Sequence, residues 1–197
     1  LYFRERADRT TSEFYSDATV GEFWIGPRPS LHGVAADLGV ATARLEGFAA
    51  SDQDLTVDVD EDLTRFVSEL RLVKDEYEIA ELRRAVEITA AGFDDIIRAM
   101  PDAIAHARGE RVVEGVFHRR AREDGNGEGY DTISASGPHA CYLHWTRNDG
   151  AVAPGDLILI DAGVEVDSLY TADITRTLPV SGTFTPVQRR VYEAVRE

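Results

Sequence analysis

Two aspartates carry the chemistry that this sequence offers most directly. Asp161 ends the run Leu157-Ile-Leu-Ile-Asp-Ala-Gly163, and Asp173 opens Asp173-Ile-Thr-Arg-Thr177 after a short loop. Aspartate is depleted in strands, and an ionised carboxylate taken out of water without a partner is costly, so an Asp at the end of Leu-Ile-Leu-Ile needs a reason. If the two segments run antiparallel, the aspartates come side by side, within the few ångströms at which cross-strand side chains meet. Like charges that close repel, so either one carboxylate is protonated or cations sit between them. All-oxygen donors favour a hard or borderline divalent ion such as Mn or Mg, with Zn or Co if a histidine joins. The plainer alternative is that Asp161 caps a turn and Asp173 is an exposed residue at a strand end.

Among the five histidines, His144 stands out. It ends an apolar run immediately before Trp145, a place where a buried imidazole needs a partner, and on its own it reads as a satisfied core histidine. His32 falls in a turn-rich segment, His106 in a polar loop after a helix, and His118 on the outer part of a helix. His139 follows Gly137-Pro138 and lies closer to the chemistry, without an assigned role.

The elements that must position these residues are legible from periodicity. Residues 157–160 are an apolar run of strand length, Gly163 marks a bend, and Val164 to Leu169 return toward Ile174. Asp75-Glu-Tyr-Glu78 is an acidic capping box that opens the longest helix, with Ile79, Leu82, Val86, Phe93, Ile96, Ile97 and Met100 inward and Pro101 as its end. Glu81 with Arg84, and Arg83 with Glu87, are expected to pair on its exposed side. A second helix spans Gly109 to Glu123 with Val112, Val113, Val116 and Phe117 inward, and Arg119, Arg120 and Arg122 on a solvated face. The acidic cluster Asp58 to Asp62 opens a helix at Leu63, complementing the helix dipole. Residues 1 to about 50 predict strands and turns with one short helix over Pro29 to Leu38. Thr185-Pro-Val-Gln188 is a helix start, and Val187, Val191, Tyr192 and Val195 make that helix amphipathic. It is under way at Glu197, and Leu1-Tyr-Phe-Arg reads like the interior of a strand, so the chain is expected to be a piece of a longer protein.

The string from Leu157 through Asp161, Tyr170, Asp173-Ile-Thr-Arg-Thr, Pro179-Val-Ser-Gly-Thr-Phe184, Gln188 and Val191-Tyr192 resembles the first metal-binding half of an Xaa-Pro aminopeptidase (aminopeptidase P). This is a pita-bread metallopeptidase family. Leu72-Val-Lys-Asp-Glu-Tyr-Glu78-Ile resembles the start of its first catalytic-domain helix, and Gly137-Pro-His-Ala-Cys-Tyr-Leu-His144-Trp145 its substrate-histidine segment, where Trp145 replaces the common Tyr. The resemblance implies an α+β fold. Residues 1–71 correspond to the C-terminal part of a creatinase-like N-terminal domain, and residues 72–197 to the N-terminal half of a pita-bread catalytic domain.

It also implies a function. Asp161 would hold one of two divalent metal ions, Mn before Zn or Co, Asp173 would bridge both, and His144 would contact substrate. The reaction would release the N-terminal residue from peptides with proline in the second position. Prolidase chemistry on Xaa-Pro dipeptides, metal-free creatinase-type chemistry and a non-catalytic pita-bread peptide-binding module are the alternatives. The aspartates lie one residue further apart than in the best-known pattern, which a hairpin tip absorbs. A further histidine and two glutamates complete the family's metal site and are absent from this chain. The piece alone is therefore expected to be inactive and, with an unpaired sheet edge and an apolar face, aggregation-prone. The full-length protein is expected to be a homo-oligomer.

Charge narrows the partners. With 21 basic against 36 acidic residues the net charge is -15, which repels nucleic acid and anionic membranes. Metal ions and peptide amino termini are attracted instead. The single Cys141 excludes an internal disulfide framework, and a cytoplasmic location is the expectation.

Overall fold

The computed structural model describes residues 1–196 and divides into two units, Leu1–Glu69 and Leu70–Glu197. In the first, strand β1 (Tyr2–Phe3) is followed by three short helices, α1 (Ser12–Ser16), α2 (Glu22–Ile25) and α3 (Leu31–Leu38), and then by β2 (Ala43–Arg44), which pairs with β1 in parallel. Helix α3 falls in the stretch where a helix is expected, its N-cap Ser30 accepting a hydrogen bond from the Gly33 N–H. His32 thus lies in a helix and not in a turn. Helices α1 and α2 escape a periodicity argument because four or five residues span barely one turn. Helix α4 (Glu61–Leu72) begins in this unit, with acidic residues in its first turn.

The second unit holds α5 (Glu76–Ala105), α6 (Gly109–Asp124), β3 (Gly127–Glu128), β4 (Ile133–Ser136), β5 (Leu157–Ala162), β6 (Val164–Glu165), β7 (Ile174–Pro179) and α7 (Pro186–Arg196). An antiparallel sheet runs in the order β4-β5-β7, and β3 pairs with β6. The capping box of α5 forms in full. Asp75 Oδ1 accepts from the Glu78 N–H at 2.9 Å, and Glu78 Oε2 accepts from the Asp75 N–H at 2.8 Å.

Three details of α5 differ from expectation. Pro101 does not end the helix, which continues to Ala105. Proline removes the hydrogen bond to Ile97, but both residues are exposed, so water reaches the freed carbonyl, while Met100 and Ala103 anchor the final turns in the core. The buried stripe is Ala85, Thr89, Gly92, Phe93, Ile96, Met100 and Ala103, leaving Ile79, Val86 and Ile97 exposed. Small residues take the inward positions because α6 lies close: a Cβ on Gly92 would come within 2.7 Å of the Phe117 ring. Neither Glu81 nor Glu87 pairs with an arginine, and Glu81 instead accepts a hydrogen bond from Ser168 Oγ. Arg120, expected on a solvated face, bridges Asp95 and Asp124.

The core between these helices and the sheet contains Phe93, Ile96, Val113, Phe117, Ile158 and Ile160. Strand β5 alternates strictly. Ile158, Ile160 and Ala162 are fully buried against the helices, while Leu157, Leu159 and Asp161 are half-buried on the opposite face. That second face and α7 enclose a groove of about 820 Å³ lined by Leu157, Leu159, Thr177, Val191, Tyr192 and Val195. The capping box predicted for α7 is present between Thr185 and Gln188. No helix among the described residues is long and apolar enough to cross a membrane.

Candidate metal centre

The turn from β5 into β7 brings Asp161 and Asp173 together. In the antiparallel register Asp161 faces Thr175 and Ala162 faces Ile174, so Asp173 lies just past the paired segment. With a two-residue repeat, Asp173 is on the same face as Thr175 and meets Asp161 diagonally and not directly opposite. Gly163 permits the approach, since a Cβ there would lie 1.6 Å from the Ala172 carbonyl oxygen.

A residue outside the motif joins them. The Tyr130 hydroxyl lies 2.7 Å from Asp161 Oδ1 and 3.0 Å from Asp173 Oδ1. Its backbone is placed by the preceding residue, as the Gly129 N–H donates to the Gly163 carbonyl at 2.9 Å. Burial pushes the Tyr130 phenol well above its ordinary range, and the two carboxylates act in the same direction. The phenol thus offers its O–H to the carboxylate pair.

The donor set fits a divalent cation. Both ligating candidates are carboxylates, and each has its Oδ2 without a protein hydrogen-bond partner among the described residues. No Lys, Arg or His there forms an ion pair with either one. A hard or borderline ion is the natural neutraliser of such a pair. No group of three or more His, Cys, Asp or Glu converges among the described residues, so two carboxylates are what those residues bring to the centre.

His144 lies elsewhere than a core. It is exposed, in the loop after the 3₁₀ turn Gly137–Cys141, next to Leu143 at 91% exposure, so the reading of a buried, satisfied histidine is corrected. The apolar letters before it misled because they form a turn and loop, where alternation carries no burial. Trp145 is the buried member, and its indole Nε1 donates to Glu110 Oε2 at 2.9 Å.

Glu110 is the other polar centre that patterning missed. Fully buried near the start of α6, it also accepts from the Gly150 N–H at 2.7 Å and the Ser136 N–H at 2.8 Å, and lies 2.8 Å from His139 Nδ1. His139 stacks on Trp145 with ring centroids 3.9 Å apart, and the Arg147 guanidinium lies 4.2 Å from the same ring. The segment that carries His144 is thus fastened on either side of its exposed tip.

Comparison with known proteins places the chain in a family. The profile described as metallopeptidase family M24 matches residues 80–197. Xaa-Pro aminopeptidase 1 of Streptomyces coelicolor is 46% identical over 99% of this chain and 44% of its own length. Xaa-Pro aminopeptidase 2 of the same organism is 48% identical over 100% of this chain and 46% of its own length. Among solved structures, a histidine-to-alanine variant of Escherichia coli aminopeptidase P superposes with a TM-score of 0.72 at 30% identity, covering 99% of this chain and 50% of that one. The chain spans about half the length of the relatives it matches.

Proposed function

This chain belongs to metallopeptidase family M24, and from that premise we propose that the protein carrying it is a two-metal aminopeptidase that removes the first residue from peptides with proline second. Its α+β architecture is part of a pita-bread fold. The observation that carries the reading is the convergence of Asp161 and Asp173 on one hydroxyl, with no basic side chain among the described residues to balance them. The names of the Streptomyces relatives support the same substrate class.

Asp161 and Asp173 would be this chain's ligands to the metal, Mn being the first choice and Zn or Co the alternatives. Bound divalent ions supply a Lewis acid and an activated water at neutral pH. Tyr130, within hydrogen-bond distance of both carboxylates, would help to orient them. His144, exposed on its loop, is free to donate a hydrogen bond to the scissile carbonyl oxygen as negative charge develops there. The net charge of -15 draws in metal ions and cationic peptide amino termini. A cytoplasmic, homo-oligomeric enzyme is part of the proposal.

The test is hydrolysis of Ala-Pro-Ala and Ala-Pro by the gene's complete product with Mn²⁺. Release of alanine from the tripeptide, abolished by Asp173→Asn, is expected. Cleavage of the dipeptide alone would make the protein a prolidase, and no cleavage of either by metal-loaded protein would refute the reading.

A further inference from the structure

The loop that delivers Asp173 does not stand by itself. Between β6 and β7 the chain makes a tight excursion in which the Leu169 N–H donates to the Val166 carbonyl at 2.8 Å and the Val166 N–H to the Tyr170 carbonyl at 2.9 Å. Leu169 is exposed and holds φ +69°, a left-handed conformation that a leucine adopts at a cost. A loop strained in this way keeps its shape only if its surroundings hold it, and helix α5 holds it at three points and the preceding strand β6 at a fourth. The Tyr170 hydroxyl donates to Glu78 Oε1 at 2.8 Å, and Ser168 Oγ donates to Glu81 Oε2. Val166 and Ala172 are buried against Ala85. One helical turn on, the buried Thr89 Oγ1 accepts from the Val164 N–H at 3.0 Å.

We propose that the first turns of α5 are a clamp that sets the position of Asp173 against Asp161, with Glu78 as its positioning residue. Glu78 links two structures through its two oxygens. One closes the capping box that starts α5, and the other holds the phenol of Tyr170, three residues before Asp173. The aromatic ring of Tyr77, 6.4 Å from that of Tyr170 and edge-on to it, limits the direction from which the hydroxyl arrives. Loosening this contact frees the loop toward a less strained backbone and moves Asp173 off the face it shares with Asp161. The fold need not suffer, because Val166, Ala172 and Thr89 still tie the loop to the helix. The inference rests on the metal reading of the two aspartates and adds to it the part that aims one of them.

The experiment compares Tyr170→Phe, Glu78→Ala and Glu78→Gln in the protein as its gene encodes it. Mn²⁺ affinity is measured by competition with a chromogenic chelator, and amide hydrogen exchange is followed over residues 164–174. Tyr170→Phe removes a single oxygen and leaves the capping box intact. It should weaken Mn²⁺ binding by up to about tenfold, the low end of the range for removing a ligand's direct partner because Tyr170 acts on Asp173 through the chain, and speed exchange in the loop, with the thermal midpoint little changed. Glu78→Ala should weaken Mn²⁺ binding and speed loop exchange in the same way, while also losing the Asp75 N–H bond of the capping box. Glu78→Gln should restore affinity, since its amide oxygen can take the Asp75 N–H while its NH₂ donates to the Tyr170 oxygen. Wild-type affinity in Tyr170→Phe would overturn the clamp while leaving the metal site standing. Wild-type protein that binds no Mn²⁺, or binds it equally well as Asp173→Asn, would overturn the metal reading and the clamp with it.

Discussion

Replacing Glu110 by glutamine measures how much of the second unit's stability rests on one buried carboxylate. Its two oxygens take the Ser136 and Gly150 N–H groups, the Trp145 indole N–H and a contact to His139 Nδ1, and the side chain is fully buried. Glutamine keeps one oxygen and turns the other into a donor. The least damaging orientation points the NH₂ at Ser136 and His139, because the imidazole can switch tautomer and accept. The Ser136 backbone N–H cannot, and a buried donor left unpaired costs about 1–3 kcal/mol. The Trp145 and Gly150 bonds weaken as their acceptor changes from a carboxylate to a neutral amide, adding about 1 kcal/mol. A loss of about 3 kcal/mol is expected, or a thermal midpoint lower by roughly 10 °C for a unit of this size. Glu110→Ala orphans all the donors and opens a cavity as well, so it should cost more than the glutamine variant. Urea unfolding of the gene's complete product, followed by circular dichroism, reads the change. A loss below about 1 kcal/mol in Glu110→Gln, or equal losses in the two variants, would show that these groups do not depend on this carboxylate.

Other substitutions probe the supports of the site. Thr89→Val keeps the shape but leaves the buried Val164 N–H without its acceptor, so urea unfolding should show about 1–3 kcal/mol lost. Gly92→Ala drives a methyl to within 2.7 Å of Phe117 and should cost about 1–3 kcal/mol, most of it recovered in the double variant with Phe117→Leu. Gly163→Ala meets backbone and not a flexible side chain, so it should abolish Mn²⁺ binding and lower the melting temperature together. Acid stability should depend on Asp95. The Arg120 guanidinium holds its carboxyl below the usual value of 3.8, so the folded chain takes up that proton less readily than the unfolded one. The stabilisation is complete above that usual value and is lost as pH falls through the lowered one, and Arg120→Leu should flatten this part of the stability profile.

How far the sequence reveals the site depends on how local each cause is. Capping boxes at Asp75 and Thr185, the inward Val113 and Phe117 of α6 and the strand that carries Asp161 are read correctly because each is decided within a few residues by hydrogen-bond geometry or by a repeat. Pro101 and Ile97 are misread because their fate depends on where the neighbouring helix lies, which no local pattern contains. Tyr130 and Glu110 are invisible for a related reason. Tyr130 is 31 residues from Asp161 and 43 from Asp173, and only the pairing of β3 with β6 brings it between them. Glu110 looks like one more acidic residue in a helix's first turn, where a solvated carboxylate is the ordinary outcome. A motif therefore names the groups that can bind a metal, whereas the groups that hold them in place come from distant segments. The consequence for this chain is specific: variants of Tyr130, Glu78 and Thr89 should disturb metal binding although neither aspartate is replaced.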